Sequence, residues 1–506
     1  MKRMHWALAL AVSVTVWTAA PAWAGKKEDI LRYASPQEVE AADAYFNSVR
    51  EGIFVARLVW DQLLHRDPKT GQYKPMLAKS YRWVNATTLE FELRQGIKFH
   101  NGEPFDADDV VYTLNFVSNP DNKVMTQSNV SWIKNAEKLG QFKVRINLKT
   151  PFPAALEYLA GPIPIYPNEY YAKVGPKGMS EKPVGTGPYK VTEVQAGKSV
   201  KMEINREYFK ESPQGQPSIG RIEFRTLPEM NTQVAELMTG GLDWIWQVPK
   251  DQAEQLKANP ALTVIPGETM RVAYVAMGAW DKAGNSPTRN VKVRRAIAHA
   301  IDREAIIKNL VGGQSRILHT PCFPTQFGCT DQGAPRYAHD PAKAKALLKE
   351  AGFPNGFAID LYGYRDRHYA EAIVGYLREV GITANLRWMQ YSAVRNELRL
   401  GNAPFVYMFW GSFSVQDTSA YTGNFFKFTG DDMYLDKQVR DWLDVADTSI
   451  DPKARQENYR KALARIADQA YMVPLFSISV NYAFNSELEF SSDVDEVARF
   501  TNARWK

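Results

Sequence analysis

The sequence predicts an α/β protein of two lobes, with a subdomain inserted into the first. Three observations lead there. At 506 residues, 45% of them hydrophobic and 12% aromatic, the chain carries enough apolar material to divide its core between domains. Strand-like and helix-like periodicities alternate along most of its length, the pattern of a mainly parallel sheet joined by helical crossovers. Two stretches, near residues 271–277 and 479–483, read as places where the chain crosses to the second lobe and returns.

In chain order, Lys2 and Arg3, an apolar run over 6–20 and Ala22-Trp23-Ala24 predict a cleaved signal peptide over 1–24, with Gly25 as the mature start. The run is short for a spanning helix, and no later stretch is long and uncharged enough to span. The first part of lobe I is expected over 25–65, with a strand at 30–34 ending at Ser35-Pro36 and helical periodicity over 49–64, where Ile53, Ala56, Leu63 and Leu64 lie on neighbouring faces. An inserted subdomain is expected over 66–182. Within it, alternation over 88–93 gives a half-buried strand, and Asn101-Gly102 gives a tight turn. Asp106 caps a helix whose Val110, Val111 and Leu114 face inward, and 143–148 gives another strand. Lobe I resumes over 183–273 with strands at 200–204 and 221–225 and a helix at 231–238. Lobe II is expected over 274–482. After a loop at 281–290 come helices over 293–310 and 341–351, each followed by a capping glycine, Gly312 and Gly352. A strand at 358–362, a helix at 369–380 and strands at 383–388 and 405–410 follow, and 483–506 returns to lobe I.

Composition narrows the function. The formal net charge of +6 is spread through the chain without a basic cluster, so no nucleic-acid partner is implied. Cys322 and Cys329 flank Phe-Pro-Thr-Gln-Phe-Gly; a metal site needs further ligands nearby and a redox motif needs closer spacing. In an oxidising compartment the pair reads as a structural disulfide stiffening a loop, contributing about 2 kcal/mol. Enzyme signatures are missing: there is no HExxH helix and no GxSxG elbow, and Gly197-Lys198-Ser199 has Thr192 where a phosphate loop has glycine. The seven histidines are scattered; His100 belongs to a turn and His319 lies near Cys322 without companions enough for zinc. Neither catalysis, a cofactor nor a metal is expected.

Four motifs in register carry a resemblance. PMLAKSYRWVNATTLEFELRQGIKFHNGEPFDADDVVYTLNFV runs from Pro75 to Val117, followed by Pro183-Val-Gly-Thr-Gly-Pro-Tyr189. Then come Asn290-Val-Lys-Val-Arg-Arg-Ala-Ile297 leading into Ala300-Ile-Asp-Arg-Glu304, and Asp340-Pro-Ala-Lys-Ala-Lys-Ala-Leu-Leu348 before Ala351-Gly352-Phe353. Together they resemble the family-5 extracellular solute-binding proteins of ABC importers, the dipeptide- and oligopeptide-binding proteins among them. That group captures peptides, nickel complexes, haem, opines and some oligosaccharides. The resemblance implies a periplasmic binding protein-like clamshell of type II, cluster C, closing by a hinge on a small-molecule solute and presenting it to an inner-membrane permease with its ATPase subunits. Many relatives carry a cysteine for lipid attachment at the cleavage point. Gly25 stands there in this chain, which implies a soluble periplasmic receptor, expected as a monomer.

Within that resemblance, Phe405-Val-Tyr-Met-Phe-Trp-Gly-Ser-Phe413 is similar to the strand and loop that line the family's cleft, with Trp410 matching its tryptophan and Gly411 following it. In peptide-binding relatives an aspartate three positions later pairs with the ligand's α-ammonium. Phe413 stands there and cannot offset the desolvation of a buried ammonium, which turns the expectation from free-amine peptides toward opines, sugar conjugates or peptides lacking a free amino terminus. Asp417 is a substitute anchor or, equally, a turn or helix cap. Tyr407 replaces the arginine of some oligopeptide binders, leaving Arg387, Arg395 and Arg399 as carboxylate partners, each with a solvated surface position as its alternative. Trp388, Tyr391, Tyr407, Phe409 and Trp410 offer stacking surfaces, or fill the core. The early loop of the first lobe borders the cleft in relatives, so the resemblance implies Ser35 and Pro36 as the facing wall. The other classes considered are a secreted hydrolase using a carboxylate pair from Asp417, Asp360 or Glu397, and a periplasmic holdase gripping chains with cleft aromatics.

Overall fold

The computed structural model describes residues 24–39 and 41–506, so the expected signal peptide lies outside the described residues apart from Ala24. One ten-stranded sheet passes through both lobes. Its centre is a pair of long strands, Leu262–Met277 and Met472–Asn485, running antiparallel. On one side lie Trp244–Ile245, Ile30–Ser35, Arg221–Thr226, Ser199–Ile204 and Tyr189–Gln195; on the other lie Phe405–Trp410, Phe357–Gly363 and Ile382–Trp388. The sheet is mixed, where alternation along the sequence predicts a mainly parallel one. Strands within each wing pair in parallel at Ile30–Ser35 with Arg221–Thr226 and at Phe357–Gly363 with Ile382–Trp388, but the long strands meet each other and Phe405–Trp410 antiparallel.

The long pair is interrupted twice near its middle, and the second shift, between Ala273 and Tyr274, follows directly on the first. Glu268 lies opposite Ser479 and Val272 opposite Ser477, so the first strand carries extra residues there, a bulge that bends the ribbon and re-aims side chains. Before the bulge the ribbon borders the first lobe; from Val272 onward it also pairs with Phe405–Trp410. Thr269 Oγ1 donates to Ile478 O at 2.8 Å, and the Met270 amide leaves the ladder for Val494 O at 2.7 Å.

A separate four-stranded antiparallel sheet, in the order Ala78–Asn85, Thr88–Leu93, Lys143–Leu148 and Ile133–Gly140, packs against the helix Ala107–Ser118. The helix begins as its sequence indicates. Asp106 accepts from the Asp108 amide at 2.8 Å, and Asp109 accepts from the Asp106 amide at 2.9 Å. Val110 and Leu114 are buried, whereas Val111 is half-buried at the edge of the stripe.

Two helices differ from expectation. The stretch 293–310 divides into Val291–Ala300 and Arg303–Ile306, continued by a wider turn over Ile307–Val311, because Asp302 starts a fresh cap by accepting from the Ala305 amide at 2.9 Å. The first-lobe helix spans Arg50–Val59 and stops short of Leu64, which lies in a short strand. Its last carbonyls meet the Pro183–Tyr189 motif: the Gly187 amide donates to Val59 O at 2.9 Å. A Cβ on Gly185 would stand 2.0 Å from Val59 O, and one on Gly187 2.5 Å from Leu58 O. His100, from the first motif, donates its amide to Gly185 O at 2.8 Å and sets its ring Nε2 2.9 Å from Gly187 O. Thr186 Oγ1 donates to the buried Asp61 carboxylate at 2.9 Å, and burial raises that carboxyl to about 7. Two motifs far apart in sequence are thus one packed joint. Gly187→Ala should destabilise the protein by about 2–3 kcal/mol through overpacking against helix carbonyls, read as a lowered urea midpoint at unchanged slope.

The cleft between the lobes as candidate binding site

Where the bulge faces the gap between lobes, two cavities meet at Arg271 and Arg365. The larger has a volume of about 610 Å³ and runs toward Gln247, His368 and Asn481. The smaller, about 130 Å³, lies among Arg50, Glu51, Tyr364, Tyr391, Trp410 and Phe413.

One wall grows out of Phe405–Trp410. Alternation sends Phe405, Tyr407 and Phe409 into one core cluster and Val406 and Met408 into another, and Trp410 ends the strand half-buried. Its ring meets Phe413 and Phe425 edge-on at 4.9 and 5.3 Å, and its Nε1 donates to Ala420 O at 3.2 Å. Gly411 follows, and a Cβ there would lie 2.7 Å from Arg50 Nη2, so glycine lets the guanidinium come close. Ser412, Phe413 and Ser414 then adopt φ of 52, 49 and 65°, a left-handed turn without glycine. Each such residue costs roughly 1–3 kcal/mol and persists only where its surroundings determine it.

The surroundings do so from three directions. Arg50 Nη1 donates to Ser414 Oγ at 2.6 Å, and that hydroxyl donates to Asp495 O at 2.7 Å. The Gln416 amide donates to Glu157 Oε1 at 2.8 Å. From below, the loop closed by the Cys322–Cys329 disulfide pairs with the same segment: the Phe327 amide donates to Gln416 O at 2.9 Å, the Thr418 amide returns to Phe327 O at 3.0 Å, and Gln326 Nε2 reaches Val415 O at 2.9 Å. The disulfide therefore braces the cleft loop.

The rest of the cleft lining is charged. Arg271, in the bulge, grips Glu496 Oε2 through Nε and Nη2 at 3.1 and 2.7 Å, with Arg50 Nε 3.5 Å from the same oxygen. Arg365 donates to Gln247 Oε1, and its Nε lies 3.6 Å from Asp366 Oδ2. Glu51 Oε1 accepts from Ser35 Oγ, whose own oxygen accepts from Trp246 Nε1 at 3.2 Å.

This two-lobed frame with its cleft is shared with known proteins. The model of the bacterial extracellular solute-binding proteins, family 5, matches residues 72–432. The chain belongs to that family. The glutathione-binding protein GsiB of Pectobacterium atrosepticum is 30% identical over 393 residues, 76% of this chain and 73% of that protein. GsiB of Salmonella typhimurium is 28% identical over 486 residues, covering 93% and 92%. Among solved structures, a dipeptide binding protein from Pseudoalteromonas sp. SM9913 in complex with Met-Leu superposes with a TM-score of 0.85 at 22% identity, over 94% of this chain and all of that one. AgaA in complex with agropinic acid, from A. tumefacien R10, gives 0.83 at 24% identity, over 94% and 99%. These likenesses establish the clamshell, and family membership makes the chain a receptor delivering a small solute for ABC import.

In this family-5 receptor the structure gathers some of the expected residues and disperses others. Trp410, Gly411, Phe413 and Tyr391 share the smaller cavity; Ser35 stands behind it through Glu51, and Pro36 precedes Gln37 on its rim. Tyr407 is fully buried beneath Phe409 and belongs to the core. Asp417 is committed inside lobe II: Arg455 Nη2 donates to one oxygen at 2.8 Å, while Tyr459 OH and the Ser419 amide donate to the other at 3.2 and 3.0 Å. Arg387 pairs with Asp360 on the outer surface at 2.9 Å. Arg395 and Arg399 both grip Asp431, with Arg399 Nε at 2.6 Å, along a different groove. Trp388 packs against Gly363 under the Arg367 guanidinium, outside both cleft cavities.

Arg50, Glu51, Arg271, Arg365 and Glu496 went unread in the sequence. One signal was available: Glu51 shares a helical stripe with Val55 and Leu58, and a charge on an apolar stripe asks for a partner. Trp410→Ala should abolish solute-induced fluorescence change with the fold intact, and Arg387→Ala should leave affinity unchanged. Asp417→Ala should instead lower stability by about 3 kcal/mol, by stranding the buried Arg455, as urea denaturation would record.

Proposed function

We propose that the cleft takes a small organic solute bearing at least one carboxylate, of opine, glutathione-like or sugar-conjugate type, and hands it chemically unchanged to the permease. Phe413 carries this reading. At the place where the resemblance leads one to expect the aspartate for an α-ammonium, lobe II offers an aromatic ring. Ordinary α-peptides lose their amino-terminal anchor on that side, while the guanidinium of Arg365, shared by both cavities, favours a planar carboxylate. Names among the relatives point the same way, since glutathione and agropinic acid both carry carboxylates. The proposal extends to a soluble periplasmic monomer, freed of its signal peptide, without a lipid anchor, working with an inner-membrane permease and its ATPase subunits. Among the described residues no helix is long and apolar enough to cross a membrane. Neither hydrolysis nor holding of unfolded chains is favoured by any feature of the cleft.

Native mass spectrometry of the protein purified from periplasm, with fragmentation of any mass lost on denaturation, tests the reading. The expected result is a discrete solute with a free carboxylate that is not an ordinary α-peptide; a bound free-amine dipeptide would overturn the argument from Phe413. If the protein emerges bare, thermal-shift titration with glutathione, mannopinic acid and Met-Leu should rank the dipeptide last.

A further inference from the structure

We infer that Glu51, on the lobe I side of the smaller cavity, is the anchor for a cationic nitrogen of the solute, placed beside the Arg365 site for its carboxylate. The solute class becomes amino acids in the broad sense, with an ammonium or protonated secondary amine next to a carboxylate, as in a γ-glutamyl head group or an opine. This deepens the carboxylate-bearing solute proposed above and rests on it.

The observations begin with burial. Glu51 is 2% exposed, yet it lines the cavity. Two hydrogen bonds reach it, from the Ser35 hydroxyl and from its own backbone amide, and no ion pair to it is formed among the described residues. A carboxylate taken out of water with two donors and no ion pair is poorly compensated, and such charges are retained where a partner arrives. It is also held in place. Trp246 Nε1 fills an acceptor site on Ser35 Oγ at 3.2 Å, which leaves that hydroxyl to donate to Glu51.

The rest of the cavity suits a cation. Tyr364, Tyr391, Trp410 and Phe413 supply aromatic rings, favourable surfaces for a positive nitrogen, and Tyr364 and Tyr391 lie 5.0 Å apart. Phe413, unfit to pair with an ammonium, is fit to cover one whose charge is met by Glu51. Arg365 lines the same cavity and forms no direct ion pair with Glu51, although its charge is felt by the carboxylate. Opposite charges presented separately within one small space match a zwitterion.

Titration supplies an independent readout. Burial pushes the Glu51 carboxyl up, opposed by the Ser35 hydrogen bond and by the Arg365 and Arg271 charges; Tyr33 faces it from the first strand, and Arg50 precedes it on its own helix. A cationic solute binds the ionised form, so binding draws a proton off Glu51 and affinity rises with pH through the free protein's Glu51 pKa. A neutral Glu51 donating to a solute oxygen would give proton uptake and the opposite slope.

The experiment is isothermal titration of wild type and Glu51→Gln with glutathione, N-acetylglutathione and mannopinic acid, at several pH values in two buffers of different ionisation enthalpy. We expect proton release with wild type and weaker binding of N-acetylglutathione than of glutathione. Glu51→Gln should weaken binding of the cationic solutes by about 30-fold or more and flatten the pH dependence. Equal affinity of variant and wild type, or proton uptake, would overturn the anchor while leaving the carboxylate-bearing solute standing. No saturable binding of any of the three to wild type would overturn the solute class and the anchor together. Proton release needs no variant, so the inference remains testable even if Glu51→Gln folds poorly.

Discussion

The antiparallel pairing of Leu262–Met277 with Met472–Asn485 is the constraint on which everything else in this receptor hangs. Both lobes are built by adding strands to the flanks of one ribbon, so their relative position is set wherever that ribbon bends. The bend has a location, the bulge between Glu268 and Val272, where the ladder loses its regular hydrogen bonds and the Met270 amide turns to Val494 instead. Hinge motion needs a few residues able to absorb a change in backbone angle, and an irregular segment within a ladder is of that kind. The bulge also places Arg271 on the lining of both cleft cavities.

The cleft loop shows the opposite arrangement, a strained segment fixed from several sides. Three successive non-glycine residues at positive φ are costly, and the cost is met by bonds from three separate parts of the chain: Arg50 and Asp495, Glu157, and the disulfide-closed loop. Several of these bonds cross between lobes. The geometry of Phe413 against Trp410 is thus tied to contacts with Arg50, Asp495 and Glu157. The electrostatics are similarly uneven. Glu496 is gripped by Arg271 and approached by Arg50, whereas Glu51 and Arg365 face the same cavity with their charges far less compensated.

How much was legible follows from the range of each interaction. The Ala107–Ser118 helix with its Asp106 cap, the strands Thr88–Leu93, Lys143–Leu148 and Phe405–Trp410, and the cysteine pair were readable because their causes lie within a few residues. The extension of the long strand back to Leu262 was not, since Pro266 reads as a break while its position on the ribbon is fixed by pairing with Asn481 from the far end of the chain. Nor was the assignment of polar residues. Asp417 and Arg395 look like cleft candidates because they neighbour the Trp410 motif in sequence, but their partners Arg455 and Asp431 claim them.

By itself the sequence determined the class of protein, through periodicities and motifs whose meaning is local, and it identified Trp410 and Phe413 because a family pattern marks them. What Gly185, Gly187 and His100 do in that pattern became physical only when the two motifs proved to pack on one helix end. The tertiary structure alone decided which charged groups line the cleft. Burial and ion pairing depend on side chains hundreds of residues apart, and a carboxylate such as Glu51 acquires its character only when folding takes water from it and sets Arg365 and Arg271 near it without a direct ion pair.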